Sequence, residues 1–169
     1  MKKWILVFFC LLLTGCGSAP TFETLGDVPH QQAVAPIPRS VLLELPADAV
    51  KAAWTGAEDT LYLCEDYTVH LQTLSAGDLG GTIRRLSGFE KENLTVIESR
   101  CGDHKRYEWV WTAAAEGGDA VYRCAVLDDG NFHYALTLSA GATDAGGLTE
   151  AWNQMISTFC LEQTPDTPG

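Results

Sequence analysis

The chain has 169 residues, 46% of them hydrophobic and 20% charged, and its 22 acidic residues outnumber 11 basic ones to give a formal net charge of −11. A chain of this size and composition can bury one hydrophobic core. Its acidity argues against nucleic-acid binding, which depends on basic patches that neutralise phosphates.

Near its start, the chain has a short apolar segment that directly follows two lysines. Residues 4–13 are apolar and are followed by small residues and Cys16. This pattern is typical of a secretory signal and is too short to cross a bilayer as a helix. The sequence Leu-Thr-Gly-Cys at residues 13–16 resembles the lipobox of bacterial lipoproteins. That resemblance implies lipidation of Cys16 and removal of residues 1–15, and the alternatives are a plain signal peptide or a buried helix.

Lipidation at Cys16 would decide where the protein resides. Two acyl chains are enough for stable anchoring to a lipid bilayer, so we expect a cell-membrane protein that faces the extracytoplasmic side without spanning the membrane. Residues 16–39 include four prolines and predict an extended tether. Residues 40–161 are expected to form one α+β domain, and residues 162–169 a frayed tail.

Short runs of β type dominate the predicted domain. Apolar alternation predicts strands at residues 41–45, 60–64, 67–74, 94–99, 106–114, 120–127 and 132–139. The Asp-Asp-Gly-Asn sequence at 128–131 and the Gly-Gly-Asp sequence at 117–119 are typical of tight turns. Residues 106–139 therefore predict a three-stranded antiparallel meander.

Two segments break this alternation. Residues 78–86 carry apolar residues at helical spacing, which indicates a short internal helix, although two adjacent glycines argue against it. A clearer apolar stripe near the end of the chain predicts an amphipathic helix that lies on the sheet, through Leu148, Trp152, Met155, Ile156 and Phe159. The predicted fold class is α+β, a curved and mainly antiparallel sheet with helices packed against it.

The order of these elements resembles the PsbP-like fold. The resemblance rests on Glu-Leu-Pro at 44–46, the hairpin sequence at 127–134 and the pattern W-x-x-M-I-x-x-F at 152–159. That family includes photosystem accessory subunits, nuclear-transport factors and bacterial lipoproteins, among them small lipoproteins of anaerobic Firmicutes. The resemblance implies a binding or accessory role and carries over no catalytic residue.

Four cysteines remain once the signal and Cys16 are set aside. An even number in an exported domain predicts two disulfides, with free thiols as the alternative. Cys160 continues the helical stripe by one more step and Cys124 lies in the middle of a strand, so we favour that pair. Cys64 and Cys101 end or follow strands and would then meet at the rim of the sheet. Each bridge would stabilise the fold by about 3 to 4 kcal/mol.

Few residues indicate ligand chemistry. The four histidines are widely spaced and predict no metal site, and no cofactor motif is present. Cys101 with His104, with or without Glu108, is a conceivable nucleophilic set, but a polar hairpin loop explains the donor group at residues 101–104 better. The indoles of Trp54, Trp109 and Trp111 would form a binding surface if exposed, and core packing is the alternative.

These observations favour a non-catalytic module that binds an envelope protein through a sheet edge or the aromatic strand. A carrier of a ligand or an ion for a membrane system is the second interpretation, and it requires a concave pocket. An envelope enzyme is the third, and it requires polar side chains that converge in a cleft.

Overall fold

The computed structural model describes residues 35–53, 56 and 58–162. Cys16, for which lipidation is predicted, most of the predicted tether, Trp54 and the tail from residue 163 lie outside the described residues. The described strands are β1 (Val41–Leu42), β2 (Val50–Lys51), β3 (Asp59–Leu63), β4 (Thr68–Ser75), β5 (Ile97–Cys101), β6 (His104–Ala115), β7 (Gly118–Asp128), β8 (Phe132–Gly141) and β9 (Cys160–Leu161). The described helices are α1 (Leu79–Ser87) and α2 (Ala145–Thr158), with a 3-10 turn at Lys91–Asn93.

Seven of these strands form one antiparallel sheet in the order β2-β3-β4-β8-β7-β6-β5. The separate pair β1-β9 brings the start and the end of the described chain together. The meander β6-β7-β8 is confirmed, and Gly130 in its second turn has a φ of 87°, where a side chain would be strained. The predicted α+β class with an antiparallel sheet is therefore confirmed.

Alternation along the central strands gives the sheet two buried faces, named here after the helix that covers each. On the α2 face, Leu136 and Leu138 of β8 pack with Trp152 and Met155 of α2. Arg123 of β7 lies on the same face, with its guanidinium carbon 4.7 Å from the Trp152 ring centroid. The α1 face holds a second cluster, comprising Ile83, Tyr107, Trp109, Trp111, Cys124, Val126 and Ala135.

Helix α1 forms despite the glycine pair that argued against it. Asp78 caps its first turn by accepting a hydrogen bond from the Gly81 amide at 2.7 Å. A Cβ at Gly80 or Gly81 would stand 3.0 or 3.1 Å from the Asp78 carboxylate, so the cap leaves little room for a side chain. Gly88 ends the helix in the left-handed conformation, with a φ of 79°.

Helix α2 follows its predicted stripe but ends earlier than the sequence indicated. Leu148, Trp152 and Met155 are buried against the sheet, and the helix stops at Thr158. Phe159 is extended, and Cys160 lies in β9 opposite Leu42. The helical stripe therefore does not determine the direction of Cys160. Four strands also differ from expectation. Strand β1 is shorter than predicted, β5 lies at Ile97–Cys101 instead of residues 94–99, and the two-residue strands β2 and β9 were not predicted.

The predicted disulfides are not formed, and all four cysteines of the described domain are free thiols. Cys124 lies on the α1 face, whereas Cys160 follows α2, so the sheet separates the favoured pair. Cys64 follows β3 and Cys101 ends β5, on strands five positions apart and at opposite ends of the sheet. Five strand spacings correspond to about 24 Å along the sheet, far beyond the reach of a disulfide.

Candidate functional site

The two described tryptophans of the predicted binding surface lie in the core. Trp109 is 2% exposed and Trp111 is 7% exposed, both on the α1 face. Trp111 stacks on Tyr122 with ring centroids 5.0 Å apart and on Trp109 at 6.4 Å. This aromatic row therefore packs α1 onto the sheet and presents no open indole face. Trp54, the third tryptophan of the predicted surface, lies outside the described residues.

Cys101, His104 and Glu108, the conceivable nucleophilic set, each contact a different residue outside the set. Cys101 Sγ donates a weak hydrogen bond to the Phe159 carbonyl at 3.7 Å. His104 Nε2 accepts a hydrogen bond from Arg39 Nη1 at 2.9 Å, and Glu108 forms an ion pair with Arg106 at 3.1 Å. Each group thus has its own partner, and two of these contacts connect β5 and β6 to the first and last described segments of the chain.

A buried hydroxyl and imidazole that the sequence did not single out lie beneath α1. Thr82 Oγ1 and His133 Nδ1 are 2.7 Å apart, and His133 Nε2 lies 3.7 Å from Asp128 Oδ1. Both Thr82 and His133 are buried in the packing between α1 and β8. The hydroxyl-imidazole-carboxylate order resembles a catalytic triad, but its hydroxyl lies inside the core, so the contact fastens α1 to the sheet.

At one end of the sheet, a polar network centred on Tyr134 fixes the point where the described chain enters the domain. The Tyr134 hydroxyl accepts a hydrogen bond from the Arg39 amide at 2.8 Å and donates one to Asp129 Oδ2 at 2.8 Å. Arg39 Nη2 also donates to the Glu162 carbonyl at 2.5 Å, and the Glu162 amide donates to the Ser40 carbonyl at 2.9 Å. The first and last described segments are therefore held at this end, which we call the entry end.

The two ionisable groups at the centre of this network have shifted pKa values. Desolvation, reinforced by the Asp129 carboxylate, raises the pKa of Tyr134 to about 12. Desolvation opposes ionisation of Asp129, but hydrogen bonds from the Phe132 and Asn131 amides and from Tyr134 outweigh it and lower the Asp129 pKa. Tyr134 therefore stays neutral as a donor, and Asp129 stays ionised as its acceptor.

Beside the network lies a cavity of about 390 Å³. Its lining includes Pro38 and Val41 from the entering segment, Thr60 of β3, and Leu71 and Thr73 of β4. This volume falls within the range of small-molecule sites. The carrier interpretation requires a pocket of this kind, and the charged residues in the lining of this one are Arg39 and Glu58.

The opposite end of the sheet carries a larger concave surface, which we call the distal concavity. It has a volume of about 480 Å³ and is formed where the β3-β4, β6-β7 and β8-α2 connections meet. Five carboxylates lie in its lining, those of Glu65, Asp66, Glu116, Asp119 and Asp144. Burial, followed by the charges of Cys64 and Asp48, raises the pKa of Tyr67 in the same lining to about 12, so this phenol stays neutral.

The distance between the two ends follows from the β6-β7 pairing. Lys105 pairs with Asp128 at the entry end, and Ala115 pairs with Gly118 at the other. Ten residues of strand span about 33 Å. The distal concavity therefore lies a full sheet length from the place where the chain enters the domain.

Within the described part of the chain, no group of three or more His, Cys, Asp and Glu side chains is arranged to hold a metal ion. None of the described helices is long and apolar enough to span a membrane.

Comparisons with known proteins give a fold and no family. No protein-family model matches the chain, and no curated protein matches it either. Among solved structures, the Ran-binding protein Mog1p of Saccharomyces cerevisiae is similar with a TM-score of 0.51 and 10% identity, over 72% of this chain and 89% of that one. One further structure, from Bacteroides thetaiotaomicron, has a TM-score of 0.53 and 13% identity over 75% of this chain, but only 46% of its own length is covered.

Two other structures connect the fold to the resemblance noted in the sequence. LpqN, described as involved in cell envelope biogenesis in Mycobacterium tuberculosis, has a TM-score of 0.51 and 13% identity over 75% of this chain and 87% of that one. Cyanobacterial PsbP (CyanoP) from Synechocystis has a TM-score of 0.50 and 9% identity over 85% of this chain and all of that one. The chain therefore shares the fold of PsbP-like proteins.

Proposed function

We propose that this protein is a lipid-anchored, extracytoplasmic accessory module that binds an envelope protein at its distal concavity and catalyses no reaction. The observation that carries the proposal is the separation of the two ends of the sheet. The described chain enters at the Tyr134 network, and the three-loop concavity lies at the other end. An anchor at Cys16, upstream of the entry point, would leave the distal end free to meet a partner.

The chemistry of the concavity defines the kind of partner. Its carboxylates come from three separate connections, and exposed residues such as Asp66, Glu116 and Asp119 stand around one hollow. A protein surface that presents lysine or arginine side chains on a convex loop would complement both the shape and the charge. Two solved structures of similar fold support the proposal, since one is the Ran-binding protein Mog1p and the other, LpqN, is involved in cell envelope biogenesis.

The test compares two sets of charge-neutralising substitutions in the full-length protein. The distal set is Asp66→Asn, Glu116→Gln and Asp119→Asn, and the control set is Glu44→Gln, Glu92→Gln and Glu150→Gln, which are also exposed. We expect the distal set to lose at least tenfold of the affinity for a partner captured from solubilised envelope, and the control set to retain it. Equal retention by both sets would contradict the proposal.

The anchor is tested separately from the binding surface. Cys16→Ala should abolish incorporation of labelled palmitate and release the protein from the membrane fraction. Binding of the partner in detergent should survive this substitution because the concavity lies in the folded domain. If Cys16→Ala is still acylated and sediments with membranes, the anchoring part of the proposal is wrong.

A further inference from the structure

Strand β5 forms an open edge of the sheet. No other described strand pairs with its outer side, whereas the opposite edge is the two-residue β2. The pairing of β5 with β6 is continuous from Ile97 to Cys101, without a bulge, and the strand contains no proline. Beside it, Ile97 is 61% exposed and Val110 of β6 is 51% exposed. Natural sheets commonly blunt such an edge with prolines, bulges or very short strands, and β5 has none of these, so its backbone is open to pairing with another strand.

The turn after β5 determines which backbone groups point outward. Gly102 and Asp103 form a two-residue hairpin loop, and the φ of 60° at Gly102 fits a turn with glycine at its first central position. Such a loop is closed by a hydrogen-bonded pair, here Cys101 with His104. Because pair types alternate along an antiparallel ladder, Ser99 also bonds inward to β6. The amide and carbonyl groups of Glu98 and Arg100 then face the open side.

The sequence of β5, Ile-Glu-Ser-Arg-Cys, is self-complementary about Ser99. We propose that β5 pairs antiparallel with β5 of a second copy of this chain, with Ser99 on the two-fold axis. In this register Glu98 lies opposite Arg100 of the second copy, on both sides of the axis. These are the residues whose backbone groups point outward, so the same register satisfies the backbone hydrogen bonds and pairs opposite charges.

Within one copy, Arg100 faces a like charge, so a carboxylate from a second copy would stabilise it. Arg100 lies directly opposite Lys105 of β6, and like charges in facing positions are destabilising. Lys105 has its own ion pair with Glu98, at 3.4 Å. A second copy adds a carboxylate beside each Arg100. On the other face, Ile97 of one copy meets Cys101 of the other, which covers part of the exposed isoleucine.

A second copy fits this edge better than an unrelated strand, because one surface patch serves both partners and the two-fold axis closes the assembly. The contact between two five-residue strands is small, so its affinity should be modest in solution. This inference stands independently of the distal concavity, which lies at the end of the sheet away from the β5-β6 turn.

The test uses charge reversal in the full-length protein in detergent, followed by sedimentation equilibrium. Glu98→Lys and Arg100→Glu each place like charges opposite one another twice, so each should weaken the dimer by about tenfold. The double variant restores opposite charges in exchanged positions and should recover the dimer. Circular dichroism should show the same fold in all three variants, since both side chains are exposed.

Cross-linking tests the register itself. Ser99→Cys places two thiols at facing positions on the axis, where mild oxidation should give a covalent dimer above the level of the parent protein. Glu92→Cys, on the exposed 3-10 turn, is the matched control and should give none above that level. Failure of Ser99→Cys to exceed the control, or failure of the double charge variant to recover the dimer, would overturn the proposal.

Discussion

The hydroxyl of Tyr134 donates a hydrogen bond to Asp129 Oδ2 at 2.8 Å, across the start of β8. The same oxygen accepts the backbone amide of Arg39, which lies 95 positions earlier in the chain. Tyr134 itself is fully buried. One phenol thus joins the turn between β7 and β8 to the segment that enters the domain, and it fixes the entry end of the sheet.

Removal of this hydroxyl should measurably destabilise the protein. Tyr134→Phe leaves the Arg39 amide and one Asp129 oxygen without their hydrogen bonds, which should lower the free energy of unfolding by about 1 to 3 kcal/mol. Tyr62→Phe is the control, because the Tyr62 hydroxyl makes no hydrogen bond within the described residues, and it should change stability by less than about 0.5 kcal/mol. Urea unfolding checks both, and equal effects would contradict this role of Tyr134.

The lowered pKa of Asp129 predicts a pH dependence of stability. A carboxyl group whose pKa is lower in the folded than in the unfolded state stabilises the fold at pH values above its unfolded pKa, near about 3.9. That contribution is lost as the pH falls through the folded value. Asp129→Asn should therefore be less stable than the parent protein at neutral pH, and the difference should shrink below about pH 4. A difference that stays constant from pH 7 to pH 3 would argue against it.

The sequence predicted the secondary-structure elements better than it predicted the tertiary contacts between them. The alternation of β6 and β8 and the Asp-Gly turn between β7 and β8 are local signals, and the structure confirms both. The Tyr134 network depends on residues far apart in the chain, so no local pattern could reveal it. The distal concavity likewise forms from three turns that meet only after the sheet has assembled.

The predicted pairing of Cys124 with Cys160 was wrong because the sequence does not show on which face of the sheet a strand residue lies. Apolar residues occur on both sides of β7, because helices cover both faces of the sheet, so the sequence alone does not show which face Cys124 occupies. The helical step to Cys160 also failed, because Phe159 leaves the helix to allow β9 to pair with β1. Local periodicity does not indicate where a tertiary contact ends a helix.

The free thiols should differ in reactivity. Cys124 is fully buried and accepts a hydrogen bond from the Thr137 hydroxyl at 3.3 Å, and burial raises its pKa to about 12. Without reductant, a maleimide should label the half-buried Cys64, Cys101 and Cys160 in the folded protein, and Cys124 only upon unfolding. Mass spectrometry of the labelled peptides checks this. Domain thiols that remain unlabelled in denaturant without reductant would show that disulfides are present.

Substitution by alanine at two helical glycines should change the stability of the protein in different ways. In α2, Gly146 has open space around it, so Gly146→Ala should stabilise the protein by about 0.5 to 1 kcal/mol through helix propensity. At Gly81 the new Cβ would stand 3.1 Å from the Asp78 carboxylate that caps α1. Gly81→Ala should therefore give no gain or a loss in thermal unfolding. An equal gain at both positions would show that the cap adjusts freely.

The most direct test of the proposed function is site-specific photo-crosslinking in intact cells. A benzophenone side chain at Glu116, in the β6-β7 turn of the distal concavity, is compared with one at Asn131, in the β7-β8 turn of the entry end. Both positions are exposed, so their intrinsic reactivity is matched. We predict one discrete protein adduct from position 116 and none of that mass from position 131. The same adduct from position 131 with none from position 116 would contradict binding at the distal end.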